Sequence, residues 1–178
     1  DGGTNDLTIA IRSEDATAAT AEQLNAIDAA TSLAVDATAV TDLSGSYSDL
    51  VTLYGSSGVT GLENENITIT GGSLTVTQAN AIDLLTTGVV TASIVTTETV
   101  DSLKTLTGTN AYTIVISETS ASASDLNAIN GLTTEAIDAT NVTGLTYDTI
   151  TNINTLLIAG NDPDQFTNTS FSKLDSVS

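Results

Sequence analysis

An internal repeat is the feature of this sequence that most constrains its fold. A four-residue motif built around Asn-Ala-Ile occurs three times, and a second apolar residue follows each isoleucine eight positions later. The motifs are Leu24-Asn25-Ala26-Ile27, Ala79-Asn80-Ala81-Ile82 and Leu126-Asn127-Ala128-Ile129, and the apolar residues that follow are Val35, Val90 and Ile137. A repeat of this kind is typical of proteins in which one supersecondary unit stacks on the next. We therefore expect the three isoleucines and the three following residues to be buried at matching places.

The repeat predicts an α/β solenoid, similar in plan to leucine-rich-repeat proteins. The chain 1–178 reads as a single repeat array, with long repeats at about 4–62, 63–108 and 109–155 and a partial copy at 156–178. Each long repeat divides into halves, in which a β-branched run precedes a helical pattern. This division gives about seven strand–helix coils with a parallel sheet. The predicted strands are 7–11, 33–40, 67–70, 89–95, 112–116, 136–142 and 156–159.

Helix starts can be placed from their capping residues. Ser122 with Asp125, Thr20 with Gln23, and Ser46 with Asp49 have the three-residue spacing of a capping box. A helix is also predicted over 147–156, where apolar residues recur at helical spacing. These helical faces argue against the alternative fold, an antiparallel β-sandwich.

Composition restricts the chemistry and the partners. The chain has three basic residues, 22 acidic residues and no histidine, for a formal charge of -19, and it contains no cysteine, methionine or tryptophan. It therefore offers no imidazole base, thiolate or disulfide. Such a charge repels nucleic acid and anionic lipid, and no apolar stretch is long enough to insert into a membrane. We expect no nucleic-acid partner and no membrane insertion.

Two acidic clusters suggest calcium, because hard cations take carboxylate and amide oxygens as ligands. The first is Asp6, within an Asp- and Gly-containing N-terminal stretch that resembles the nonapeptide of calcium-binding β-rolls. The second comprises Asn161, Asp162 and Asp164, although an Asp before Pro163 also suits the start of an ordinary helix. The repeated acids Asp36 and Asp138 read as turn formers or solvated residues.

No residue pattern indicates catalysis. Paired carboxylates can perform acid–base chemistry, but the candidate acids all belong to the degenerate repeat, and Thr91 stands in the second copy where the other copies have an aspartate. Catalytic groups normally occur once. We expect a protein that is not an enzyme and that requires no cofactor, with calcium as the one ion its acidic turns would bind.

The amino-acid sequence of the repeat resembles a known type of repeat. The segment ASDLNAINGLTTEAIDATNVTG at 123–144, with weaker echoes at 21–42 and 76–97, is similar to the degenerate Ala-, Thr- and Asp-rich repeats of very large secreted or cell-surface proteins of cyanobacteria and other marine bacteria. The resemblance implies an extracellular, structural or adhesive role in a surface protein or filament. The alternative function is a calcium-dependent binding module.

Because neither end of the repeat array carries a distinct polar cap, we expect head-to-tail self-association or contact with neighbouring repeats of the same chain.

Overall fold

The protein is an α/β protein with parallel sheets and six α-helices in the part of the chain that the computed structural model describes, residues 5–167. The chain forms two compact units. The first contains the described residues of Asp1–Gly72 and Ala81–Ala92, and the second those of Ser73–Asn80 and Ser93–Ser178.

Three helices begin where their capping residues predicted them, whereas the helix predicted at 147–156 begins at Ile150. A hydroxyl before the helix accepts a hydrogen bond from the N–H of the third helical residue, which satisfies one of the free donors at the helix start. Thr20 does so with Gln23 in a complete capping box, Ser46 with Asp49 and Ser122 with Asp125. The helices are α1 (Ala21–Ala30), α2 (Tyr47–Gly55), α3 (Val76–Asp83), α4 (Val100–Leu103), α5 (Ala123–Asn130) and α6 (Ile150–Gly160).

The strands of the first unit form two parallel sheets. These strands are β1 (Ile9–Ala10), β2 (Ala19–Thr20), β3 (Val35–Asp36), β4 (Asp42–Gly45), β5 (Val59–Thr60), β6 (Asn66–Ile69) and β7 (Val90–Ser93), whose last residue belongs to the second unit. One sheet has the order β1-β3-β5, and the other has β2-β4-β6-β7 within this unit. Ile9, Val35 and Val59 are in register in the first sheet, and Ala19, Leu43, Ile67 and Val90 in the second. Paired residues are thus 23 to 26 positions apart, so one strand–helix repeat separates neighbouring strands.

The second unit pairs its strands in the same parallel sense. Its strands are β8 (Ala111–Thr113), β9 (Ser120–Ala121), β10 (Ile137–Asp138), β11 (Gly144–Leu145) and β12 (Phe166–Thr167). Ser120 pairs with Gly144 and Ile137 with Phe166, and single bridges join Leu74 to Ile94 and Val115 to Asp138. The registered pairs within residues 5–167 are all parallel, so the antiparallel β-sandwich alternative is wrong.

Most of the observed strands are shorter than predicted, and one predicted strand is wrong. The strand expected at 33–40 ends at Asp36, because the Asp36 carboxylate accepts hydrogen bonds from the Thr38 N–H and hydroxyl and turns the chain. The strand expected at 156–159 lies inside α6, which continues past Leu156 because Leu156 and Ala159 are both buried on one helical face.

Aliphatic side chains from the strands and helices fill the interior of each unit. Five of the six residues expected at matching buried places have no exposed surface: Val35, Ile82, Val90, Ile129 and Ile137. The sixth, Ile27, is only half-buried. Leucines at the fourth helical position join them in both units, since Leu24, Leu50, Leu103 and Leu126 are buried. Burial of this apolar surface is the main favourable contribution to folding.

Candidate functional site

The asparagine of the repeated motif joins one helix to the next. Asn25, the fifth residue of α1, donates from Nδ2 to the carbonyl oxygen of Asp49, the third residue of α2, at 3.0 Å. Asn127, the fifth residue of α5, donates in the same way to Asn152, the third residue of α6, at 3.0 Å. Asn80 of α3 donates to the carbonyl oxygen of Thr105 at 2.7 Å. The motif therefore provides a side-chain link between successive repeats.

Acidic side chains form a second set of links within the second unit. The N–H of Val76 donates to Glu98 Oε1 at 2.8 Å, and the N–H of Val100 donates to Glu118 Oε1 at 2.7 Å. The N–H of Ser124 donates to Asp148 Oδ2 at 2.6 Å. In each case a carboxylate of the following repeat meets the first turn of the preceding helix, where the helix dipole favours negative charge.

Asp148 is the carboxylate most strongly affected by these bonds. Its Oδ1 accepts from Asn152 Nδ2 at 2.7 Å and from the Thr149 N–H at 2.7 Å. Donation from Asn152 and from the Ser124 main chain lowers the pKa of Asp148 to about 2. The group is therefore ionised throughout the neutral and mildly acidic range.

The repeated acids Asp36 and Asp138 close turns, as their pattern indicated. Asp138 Oδ1 accepts from the Thr140 N–H at 2.9 Å and from its hydroxyl at 2.5 Å, matching the bonds between Asp36 and Thr38. The Thr38 hydroxyl, and then its N–H, hold the pKa of Asp36 below the ordinary value. These carboxylates serve the local backbone.

The acidic turn proposed for calcium follows α6. Asp162 Oδ1 accepts from the Asp164 N–H at 3.0 Å and Oδ2 from Gln165 Nε2 at 2.9 Å. The Gln165 side chain, and then the Asp164 main chain, hold the pKa of Asp162 below its usual value. Asn161 ends α6 and donates from Nδ2 to the carbonyl oxygen of Leu157 at 3.0 Å. The interpretation of Asp162 as a helix N-cap is wrong, because within residues 5–167 it closes a turn that leads into β12.

Asp6 lies in the first unit and accepts a hydrogen bond from the Ser32 hydroxyl. Its side chain is exposed, and so is that of Asp164. Across residues 5–167, no three or more acidic, histidine or cysteine side chains come together as a metal-binding group.

A lysine occupies the densest acidic region of the second unit. Lys104 Nζ lies 2.7 Å from Asp125 Oδ1 and 2.9 Å from Asp101 Oδ1. Bonding to Asp125 and Asp101 raises the pKa of Lys104, and the ammonium in turn lowers the pKa of Asp125. Asp101 and Asp125 line a polar pocket of about 380 Å³ with Glu118, whose Oε2 is buried without a hydrogen-bond partner. The ammonium group offsets the negative charge of Asp101 and Asp125.

An apolar surface on α6 is the first candidate for binding a macromolecule. We call it the α6 face, and it consists of Tyr147, Ile150, Asn154 and Ile158. The exposed fractions are 102% for Tyr147, 80% for Ile150 and 65% for Ile158. Asn154 is also exposed, and its amide makes no hydrogen bond to any residue in 5–167. Exposed apolar side chains of this size on one helix make the α6 face a candidate interaction surface.

A groove along α1 is the second candidate surface. This α1 groove has a volume of about 600 Å³ and is lined by Ile11, Asp15, Ala18, Ala19, Gln23, Leu24, Ala26 and Ile27. Ile27 is half-buried here, which corrects the expectation of full burial. Its counterpart Ile129 lies in α5, which packs against both α4 and α6, whereas α1 packs against α2. The groove is where a preceding helix would cover Ile27.

The sequence contained a further signal for the α6 face. Ile153-Asn154-Thr155-Leu156 places an asparagine at the fifth position of α6, between apolar residues at the fourth and seventh positions, as in Leu126-Asn127-Ala128-Ile129. It is a fourth, degenerate copy of the motif that sequence inspection missed. The acids that meet neighbouring helices, Glu98, Glu118 and Asp148, lacked such a signal because each bonds to a residue 18 to 24 positions away.

Comparison with protein-family models, curated proteins and solved structures found no match for this chain. Within residues 5–167, none of the helices has the length and apolar character required to cross a membrane.

Proposed function

We propose that this chain is a non-catalytic structural or adhesive segment of a bacterial surface protein or extracellular filament. In this proposal, strand–helix coils of about 24 residues stack into a solenoid, and α1 to α6 each belong to one coil. A chain of about seven such coils, as the repeat predicts, would present similar surfaces at regular intervals to neighbouring molecules.

The observation that carries the proposal is a set of hydrogen bonds from polar side chains to the main chain of neighbouring repeats. Asn25, Asn80 and Asn127 each bond to a main-chain carbonyl in the following repeat. Glu98, Glu118 and Asp148 bond to N–H groups in the preceding one. Groups that hold neighbouring repeats together favour a scaffold over a catalyst. The resemblance to large secreted repeat proteins supports the same role and an extracellular location.

The competing function is a calcium-dependent binding module with Asp6, Asn161, Asp162 and Asp164 as ligands. It remains a distinct proposal because Asp164 and Asp6 keep exposed carboxylates. It differs from the scaffold proposal in its dependence on the ion, since a fold built around calcium is lost when calcium is removed.

Chelation distinguishes the two functions. We expect the far-UV circular dichroism spectrum and the melting temperature of the full chain to be the same in excess chelator and in excess calcium. The binding module would instead be established if the folded spectrum is lost in chelator and restored by calcium, and if calcium no longer restores it in the D162N/D164N variant. Glu14→Gln is a suitable control, because it removes one acid that the calcium proposal does not use.

The extracellular role has its own test. Antibodies raised against the chain should label intact cells of the source bacterium, and external protease should remove the label. Labelling only after the cells are lysed contradicts the surface location.

A further inference from the structure

We propose that the α6 face of one copy of this chain binds the α1 groove of a second copy. The inference rests on the proposed structural function and names the partner for it. Within residues 5–167, neither surface is packed against a further helix, whereas α5 packs against both α4 and α6.

The unused amide of Asn154 is the first argument. Asn25 and Asn127 occupy the fifth positions of α1 and α5, and each donates to the third-position carbonyl of the helix that follows. Asn154 occupies the fifth position of α6, and its side-chain amide makes no hydrogen bond within residues 5–167. The side-chain amide of Asn154 is therefore in position to donate a hydrogen bond to another helix of the same kind.

The α1 groove offers the matching acceptor. The third residue of α1 is Gln23, and Gln23 lines the groove. Continuing the pattern of the existing helix pairs, Asn154 Nδ2 would donate to the Gln23 carbonyl oxygen of the second copy. The contact between copies would then repeat the contact already made between α1 and α2 and between α5 and α6.

Apolar side chains are complementary across the same contact. Ile150 and Ile158 protrude from the α6 face, and the α1 groove is an apolar concavity in which Ile27 remains half-buried. Ile129, the residue that matches Ile27 in α5, has no exposed surface. Association of the copies would cover Ile27 in the same manner and remove Ile150 and Ile158 from water.

An acidic residue of the groove completes the pattern of helix capping. Carboxylates of the following repeat meet the starts of α3, α4 and α5. Asp15 lines the groove and precedes α1, as Glu118 precedes α5. In the second copy, Asp15 would occupy the corresponding place at the start of α6, where the helix dipole favours an anion.

Two different surfaces meet in this contact, so it is heterologous. Each copy that binds through its α6 face leaves its own α1 groove available, and further copies can add. Because the chain carries a charge of -19, repulsion between copies opposes the contact, and added salt should strengthen it by screening.

The test uses the full chain and one variant of each surface, I158K and A26K. Ile158 and Ala26 are both exposed, so neither substitution disturbs the interior. Sedimentation velocity at increasing protein concentration should show association of the unmodified chain, weakened about tenfold or more in each variant. Leu84→Lys alters an exposed apolar residue outside both surfaces and should associate as the unmodified chain does.

Mixing the two variants provides the decisive measurement. The I158K chain retains its α1 groove and the A26K chain retains its α6 face, so the mixture should form an equimolar complex that does not grow further. Association that both variants leave intact, or a mixture that stays monomeric, overturns the proposal. If association appears only after removal of residues 168–178, that segment of the same chain covers the α6 face, and the proposal is also wrong.

The outcome is separate from that of the structural function. A chain that keeps its fold in chelator but stays monomeric at every concentration and salt level contradicts this contact alone. Loss of the fold in chelator contradicts the structural function itself.

Discussion

Asn127 and Asn152 are joined by a hydrogen bond of 3.0 Å between the side-chain amide of the first and the main-chain carbonyl oxygen of the second. Asn127→Ala should lower the free energy of unfolding by about 1 kcal/mol, the usual net contribution of one such bond. Urea denaturation provides the measurement. Asn154→Ala is the matched control, because Asn154 holds the same helix position without a bonding partner in residues 5–167, and it should change the stability of the monomer by less than about 0.5 kcal/mol. Equal effects of the two substitutions would contradict the assigned link.

The two isoleucines at the seventh positions of α1 and α5 should respond differently to truncation. Ile129→Ala leaves a cavity in a fully buried site and should destabilise the protein by about 2–5 kcal/mol. Ile27→Ala removes a half-buried side chain from an open groove, where water or neighbouring groups can fill the space, and should cost clearly less. Chemical denaturation at low protein concentration keeps both chains monomeric. A larger loss for Ile27 would disprove the difference in their surroundings.

Much of this interior followed from the sequence, whereas the links between repeats did not. Capping pairs such as Thr20 and Gln23 act within one helical turn, and apolar residues such as Ile82 and Val90 follow a fixed spacing, so both could be read locally. The strands β2, β4, β9 and β11 have only two to four residues each and depend on partners 24 positions away. Ile27 departed from its pattern because α5 packs against the preceding helix α4, whereas within residues 5–167 α1 packs against the following helix α2.

The residues proposed as calcium ligands also show that a sequence pattern does not reveal every contact of a side chain. Clustered acids and amides suggest a cation, but carboxylates also accept hydrogen bonds from nearby N–H groups, and the sequence pattern is the same for both uses. In the structure, both oxygens of Asp162 bond to residues two and three positions later. Both uses depend on the local geometry of the turn after α6, which composition alone does not contain.

Acid should weaken the second unit through Asp148. Its pKa is about 2 in the folded protein and close to 3.9 for an ordinary unfolded aspartate. Because the folded value is the lower one, the stabilisation is present above about pH 4 and is lost as the pH falls towards 2. NMR titration of the side-chain carboxyl should give this pKa, and Asn152→Ala should raise it by removing the principal donor. An Asp148 that titrates near 4 in the intact chain would refute the assignment.

The ion pairs of Lys104 predict a response to salt. Lys104→Met removes the ammonium from between Asp101 and Asp125, so the pKa of Asp125 should rise towards its ordinary value. Both pairs are partly exposed to solvent, so the loss of stability should be small. The loss should be greatest at low ionic strength, where the remaining acids repel one another without screening. Thermal denaturation over a salt series measures it, with Lys104→Arg as the control that retains the charge. A salt-independent loss would mean that the effect comes from packing.

The acceptors of the asparagine links are Asp49, Thr105 and Asn152, three chemically different residues. They can differ because the accepting atom belongs to the main chain, which every amino acid supplies. Substitutions at the accepting positions therefore leave the link intact, whereas substitution of the donor asparagine removes it. A gene encoding such a protein can therefore accumulate mutations at the accepting positions while the neighbouring helices stay linked. It can also duplicate a repeat next to one of different sequence without losing the link.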